Sequence, residues 1–354
     1  MIRDSLGRIP RWLLAIVLLG ASIDVMTALF GRAVLQEAIQ GIVVGSIYVL
    51  GATGLSLLYG IKKFANFAHG DLMTVGAYVA FTVNVLLGRD ILSAVILAIV
   101  TVALLGMFLE LSIFRRLEGR GPVPALIASV GVGLVLQNVI GTIFLGDVRY
   151  INVGIPADFP IGNTGLRFNA LRGGVTLVVS FALVVFLHVL LKYTTLGKAM
   201  RACADDIDLA RTSGINTRNV ILWTWVISGA FAAIAGVLLA ILVNVTPLLG
   251  FLVLLFIFAA VIVGGIGSPY GAMIGGLIIG LVQKLSKVIF DVIQDAGILE
   301  GGSAYEPAGA FLVMILVLLL KPEGIMGTAR ERMGSRRLQI RFRRRKKEAT
   351  PDVP

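Results

Sequence analysis

Charge is what this 354-residue sequence has little of. Asp, Glu, Lys and Arg make up 14% of it, against about 25% in a soluble domain. Much of the charge lies at one end: Lys321 to Pro354 hold 11 of the 31 Lys and Arg and 4 of the 20 Asp and Glu. The chain is 57% hydrophobic with a mean hydropathy of +0.95, which excludes a water-soluble globule. A pI near 10.1 then reports a basic tail rather than a nucleic-acid partner. Cysteine is nearly absent too, and the single Cys203 excludes an internal disulfide or a cysteine-based metal cluster. The two histidines, His69 and His188, lie far apart without an HExxH context. The dipeptide Gly197-Lys198 is followed by Ala199, so it completes no GxxxxGK[ST] phosphate loop. Asp205-Asp206-Ile207-Asp208 is followed by Leu209 and misses the DDxxD spacing that holds magnesium diphosphate. No catalytic set, cofactor or metal site is expected.

What the sequence does have is apolar length. Stretches at about 12–30, 38–60, 71–88, 91–113, 123–146, 175–192, 220–243, 251–266, 271–290 and 307–320 compare with the 17–25 residues of a membrane span. They predict an all-α polytopic membrane protein of about ten helices, or eight or nine if the short eighth and last stretches do not cross. With both termini cytoplasmic, the inner segments collect 24 Lys and Arg and the outer segments seven, as the bias of inner loops toward cations requires. The expected organisation is a cytoplasmic N-terminus over 1–11, a membrane domain over 12–320 and a basic cytoplasmic tail over 321–354. Within the membrane domain lie an inner loop at 193–219 and an outer loop at 147–174. The first stretch is read as a retained helix rather than a signal peptide, because apolar character resumes after Asp24. Asp24 and Glu110 fall near span ends, so the membrane interior is expected to be free of buried charge, which argues against a proton-driven carrier. Small-xxx-small pairs (Gly41/Gly45, Gly271/Gly275 and Gly276/Gly280) mark close helix contacts.

Three segments depart from the pattern of a span. In Lys192–Arg218, Leu196, Met200, Cys203, Ile207 and Ala210 line one helical face, and Lys198, Arg201, Asp205 and Asp208 the other. Gly214 ends that helix and Asn216 begins a turn. Such a helix docks a soluble partner or lies on the membrane surface. In Gly60–Asp71, GIKKFANFAHGD, polar residues read as an inner loop, unless protein or a water-filled cavity encloses them at membrane depth. In Gly264–Gly276, GGIGSPYGAMIGG, Pro269 and the glycines predict a tight inner turn.

GIVVGSIYVLGATGLSLLYGIKKFANFAHGDLMTVGAY (41–78), GKAMRACADDIDLARTSGIN (197–216), VGGIGSPYGAMIGG and LLLKPEGIMG resemble, in that order, segments of the branched-chain amino acid ABC transporter permeases of LivH type. The resemblance runs over most of 38–327. It implies an ATP-driven importer in which this chain pairs with a LivM-like permease, two ATP-binding subunits and an extracytoplasmic binding protein. It also implies a cytoplasmic coupling element with Gly197, Arg201, Ala202, Asp205, Ala210 and Gly214 facing the ATPase. The expected pathway candidates are Ser46, Asn66, His69, Gln137 and Asn138. Leucine, isoleucine and valine are the implied substrates, with urea or a short-chain amide as the alternative. A membrane-protein insertase and a membrane enzyme are the rivals outside the transporter class. The outer segment 147–174, with Asp147, Arg149, Asp158, Arg167 and Arg172, is either a binding-protein contact or a solvated connector. The tail run Arg341–Lys347 goes beyond the family pattern and is expected to bind anionic membrane lipid.

Overall fold

The computed structural model describes residues 31, 33–154, 159–160, 167–297 and 300–327. The expected first helix over 12–30, Asp24, Asp158 and the basic tail from Thr328 lie outside the described residues.

Apolar composition and the need to satisfy backbone groups without water make helix the dominant state. In chain order the helices are α1 (Ala33–Lys62), α2 (Ala68–Phe81), α3 (Ile91–Ser112), α4 (Pro122–Phe144), α5 (Val175–Tyr193), α6 (Thr195–Asp205), α7 (Ile207–Thr212), α8 (Thr217–Leu242), α9 (Leu249–Gly264), α10 (Pro269–Asp295) and α11 (Glu306–Leu320). Among the described residues the remaining ladder is a two-residue antiparallel pair, Phe159–Pro160 with Arg167–Phe168.

Among the described residues, six segments are long and apolar enough to cross a membrane: Ala33–Lys62, Ile91–Leu117, Pro122–Phe144, Arg172–Tyr193, Thr217–Leu242 and Pro269–Asp295. Helices α9 and α11, of 16 and 15 residues, are shorter, about 24 Å or less at 1.5 Å per residue. The expected span over 71–88 is corrected. Helix α2 begins three residues earlier, stops after 14 residues and passes into a π-helical turn over Thr82–Leu86. It tolerates that length because it is a core element rather than a lipid-facing one: of its residues only Val75 and Val79 are not fully buried.

Packing rests on glycine. Gly41 and Gly45 of α1 meet Gly276, Gly280 and Leu281 of α10, and a Cβ on Gly276 would stand 2.6 Å from the Val49 nitrogen. Two of the small-xxx-small pairs seen in the sequence are thus the two halves of one crossing. Around α2, Gly70 and Gly250 lie backbone to backbone, a Cβ on Gly76 would stand 2.7 Å from the Ala233 Cα, and Gly236 abuts the Met73 backbone. Helices α3 and α8 close similarly, at Gly106 on Trp225 and Gly229 on Val102. With lipid as apolar as leucine, such close approach provides the attraction between helices.

A polar network also joins α1, α10 and α11. Tyr48 donates to Gln283 (2.7 Å), Gln283 donates to Glu306 (2.9 Å), and Lys284 pairs with Glu306 (2.8 Å). Lys287 pairs with Glu37 at 2.8 Å. Lys284 and Lys287, two of the seven cations that the sequence reading counts in outer segments, therefore sit inside a helix, neutralised by carboxylates of its neighbours.

Gly276→Leu should lower stability by about 3 kcal/mol through overpacking against backbone that cannot move aside. Gly131→Ala on α4, where a Cβ meets nothing within 4 Å, should leave it unchanged or slightly raised; thermal unfolding of both variants in detergent checks this.

Candidate functional site

Helix α5 ends at Tyr193, and Thr194 turns the chain. Its Oγ1 accepts from the Gly197 amide at 3.0 Å and donates to the Leu190 carbonyl at 2.6 Å. This folds α6 back on the end of α5 so closely that a Cβ on Gly197 would stand 2.6 Å from the Leu191 Cα. Glycine is required there by contact, not by backbone angle.

The expected amphipathic face is present. Met200, Cys203 and Ala210 are buried, Leu196, Ala202 and Ile207 half-buried, and Lys198, Arg201, Asp205 and Asp208 exposed. The expectation of one continuous helix is corrected: the chain breaks at Asp206 (φ −156°, ψ 112°), whose carboxylate accepts from the Asp208 and Leu209 amides at 3.1 Å and starts α7. An acidic side chain over two free amides is a helix N-cap, and the Asp-Asp-Ile-Asp run was the available signal. Gly214 then takes φ +85°, a left-handed position that favours glycine. Asn216 caps α8 by accepting from the Asn219 amide at 3.2 Å. Burial pushes the Cys203 thiol up, so it carries less thiolate than a free cysteine at neutral pH.

The four segments that carry the resemblance converge on this end of the bundle. Lys63, at φ 57°, donates to the carbonyl of Ala204 in the last turn of α6 at 2.9 Å. A Cβ on Gly60 would stand 3.3 Å from the Gly267 carbonyl in the α9–α10 turn. That turn uses Gly265 (φ 112°) and Gly267 (φ 80°), with Pro269 in the first turn of α10. Ile325 and Met326 donate to the carbonyls of Val263 and Gly264, which end α9 (2.9 and 2.8 Å).

From Lys63 the chain enters the core instead of forming an exposed loop, which corrects the loop reading of Gly60–Asp71. Phe64 is buried and stacks on Phe114, which stacks on Trp225, each pair 5.1 Å apart. Asn66 is fully buried, and its Oδ1 accepts from the Ala68 amide at 3.1 Å at the start of α2. The Phe67 amide donates to Ser129 Oγ of α4 at 3.0 Å. His69 is fully buried, with Nε2 2.9 Å from the Gly51 carbonyl; since a carbonyl only accepts, Nε2 carries the proton. Asn66 Nδ2, His69 Nδ1 and Asp71 Oδ1, with Thr53 Oγ1 and Ser56 Oγ on α1, are buried and without hydrogen-bond partners among the described residues. Unpaired polar atoms in such density are costly without a role, and they give this junction donors and acceptors to offer.

The five pathway candidates do not form one cluster. Asn66 and His69 share the α1–α2 junction. Ser46 is buried and donates to Val43 of its own helix at 2.7 Å. Gln137 is half-buried with Nε2 unpaired, and Asn138 is exposed and donates to Leu134 at 2.7 Å on its own helix. In the outer segment, Arg149 is occupied by Asp147 at 2.9 Å, and its backbone bridges to Val245.

The expectation of an interior free of buried charge is also corrected. Lys62 and Glu110 pair at 2.8 Å with side chains 7% and 3% exposed, and Trp225 Nε1 donates to the other Glu110 oxygen at 2.7 Å. The pair ties α1, α3 and α8 together. Asp71 is 3% exposed on α2, without an ion pair among the described residues, and its carboxylate lies against Gly133 of α4. A loop assignment hid Asp71, and no local pattern links Lys62 to Glu110.

Apolar helices wrapped around a polar, buried hinge, with an amphipathic pair folded over one end, define a multi-pass membrane permease. The family model for "Branched-chain amino acid transport system / permease component" matches residues 38–320, and the chain belongs to that family. It is 34% identical to the high-affinity branched-chain amino acid transport system permease protein BraD of Pseudomonas aeruginosa, over 83% of this chain and 95% of that protein. It is 34% identical to LivH of Escherichia coli with the same coverage. To LivM of Escherichia coli it is 24% identical, over 81% of this chain and 69% of that protein. The chain is a multi-pass protein of the inner membrane.

Replacing Glu110 by Gln or Lys62 by Met singly should each cost about 3–5 kcal/mol by stranding a buried charge. The double variant should cost less than the sum of the two; additivity in a double-mutant cycle of unfolding free energies would remove the pair from the account.

Proposed function

We propose that this chain is one of two membrane subunits of an ATP-driven importer for leucine, isoleucine and valine. The reading rests on one observation: an amphipathic helix pair folded over one end of a bundle, its polar face outward, in a chain matching the permease family over 38–320. Escherichia coli has two permease proteins of this transport system, LivH and LivM, and the chain is similar to both. A LivM-type partner is therefore the proposed sister subunit. Two ATP-binding subunits and an extracytoplasmic binding protein complete the complex.

In this reading the α6–α7 end is cytoplasmic. Lys62, Lys63, Arg115, Arg116, Lys192, Lys198, Arg201, Arg211 and Arg218 all belong to that end, which supports the orientation by the inner-cation rule. Ten crossings with both termini inside then require that the segment over 12–30 is a helix and that α2 with its π-helical turn, α9 and α11 also cross. The ATPase contacts the face carrying Arg201 and Asp205; Ala202 and Ala210 sit beneath it, and Gly197 and Gly214 set the folds at its two ends. Lys63 passes displacement of α6 to the hinge carrying Asn66 and His69. The unpaired polar atoms there, with Ser46, Gln137 and Asn138 on neighbouring helices, are the proposed polar groups along the path. The binding protein delivers substrate at the opposite end, which carries Asp147 and Arg149.

Arg201→Glu, at an exposed position, should leave the chain in the membrane and cut leucine uptake at least tenfold, with loss of ATP-binding subunits from the purified complex. Normal uptake with full recovery of those subunits would overturn the coupling assignment. Uptake measured with labelled leucine and with labelled urea separates the two substrate readings.

A further inference from the structure

A cavity of about 200 Å³ opens beside the α6–α7 end, between the end of α3 and the start of α8. Arg115, Arg211 and Arg218 line it together with Glu110 and Glu118. The three arginines come from different elements: the 3₁₀ turn after α3, the short helix α7 and the first turn of α8. None has an ion-pair partner among the described residues, although Glu118 lines the same cavity. Glu110 is already committed to Lys62 and Trp225, so the unbalanced charge on the wall is positive. Guanidinium groups brought together in this way match an anion with several oxygens in a fixed geometry, and phosphate is the best such match.

The surroundings say where that phosphate comes from. On α3, Leu104, Phe108 and Leu111 follow one another at spacings of 4 and 3, which is one helical face, and Arg115 follows in the 3₁₀ turn after the helix. The first three are 57%, 63% and 43% exposed, a bare apolar stripe running along the helix and ending at the arginine. On α8, Leu222 also lines the cavity, and Trp223 beside it is 53% exposed. Tryptophan at the end of an apolar stripe is the residue of the membrane–water boundary. A soluble anion has no use for the stripe, and an acidic protein segment has no use for its length. A phospholipid has both parts, a phosphate for the arginines and acyl chains for Leu104, Phe108 and Leu111. We propose that Arg115, Arg211 and Arg218 form a headgroup site for an anionic phospholipid, held at the junction of α3, α7 and α8.

Because Arg211 belongs to α7 and Arg218 to α8, a lipid in this site bridges the amphipathic pair to the transmembrane bundle. Basic pockets between helices at the inner face are a recognised form of lipid recognition. This site is built into the fold and separate from the tail.

The test is native mass spectrometry of the full-length chain after detergent washing, with phosphatidylglycerol or phosphatidylcholine added back. The wild type should retain one tightly bound phosphatidylglycerol more than the variant R115Q/R211Q/R218Q, whose affinity at this site should be at least tenfold lower. Both chains carry the same tail, so tail binding cancels. Photoactivatable phosphatidylglycerol on the wild type needs no variant, and its crosslinks should fall within 104–118 and 211–226. Equal lipid retention by variant and wild type, equal retention of phosphatidylcholine, or crosslinks confined to the tail would overturn the proposal. Displacement of the lipid by millimolar inorganic phosphate would reassign the site to free phosphate. Unchanged lipid retention with loss of a copurifying protein subunit would reassign it to a protein contact.

Discussion

Everything in this bundle depends on how closely backbones can approach. In lipid, helices gain nothing by hiding apolar surface from one another, so contact itself must hold them. Glycine makes the contact at Gly41/Gly45 with Gly276/Gly280, at Gly70 with Gly250 and at Gly236 with Met73. The last two enclose α2, a 14-residue helix carrying Asp71 and His69 that is too short and too polar to face lipid along its length. Its burial follows from glycines on the helices around it.

That burial gives the hinge at 63–67 its character. The chain reverses there within a few residues, held by Lys63 to α6, by Asn66 to the start of α2, by Phe67 to Ser129 and by Phe64 to the aromatic stack on Trp225. Each tie leads to a different element. In the proposed importer, force arriving at α6 has a short route through one hydrogen bond to the most polar part of the core. The buried Lys62–Glu110 pair beside it, with the Trp225 hydrogen bond, ties α1 to α3 and α8.

The sequence made the membrane class, the glycine pairs and the amphipathic face at 196–210 legible, because each is a local pattern of composition or period. Gly214 and Pro269 were legible as breaks for the same reason. The meaning of Gly60–Asp71 was not. Lysines, Asn66 and His69 in a row look like a loop, and only the glycine-lined surfaces of α9 and α8, about 170 residues away, let the following helix sink into the core. Separation along the chain, though shorter, also hid the pairing of Lys62 with Glu110 and of Lys284 with Glu306, so an interior expected to be free of charge contains compensated charge. Asp206 lay in plain view, but its role as a cap appears only where the helix face must turn. Of the candidate site, the coupling residues lie together on α6, α7 and the turn that follows, whereas Ser46, Gln137 and Asn138 were chosen for polarity alone and lie apart from the hinge.

Hydrogen exchange of the purified protein in a lipid bilayer tests most directly whether the polar stretch after Lys63 is core. Exchange protection reports the free energy needed to open a segment. The account predicts that the amides of Ala68–Phe81 exchange as slowly as those in the middle of α1, while those of 118–121 exchange fast. Exchange of 68–76 at the rate of the exposed 118–121 turn would contradict it.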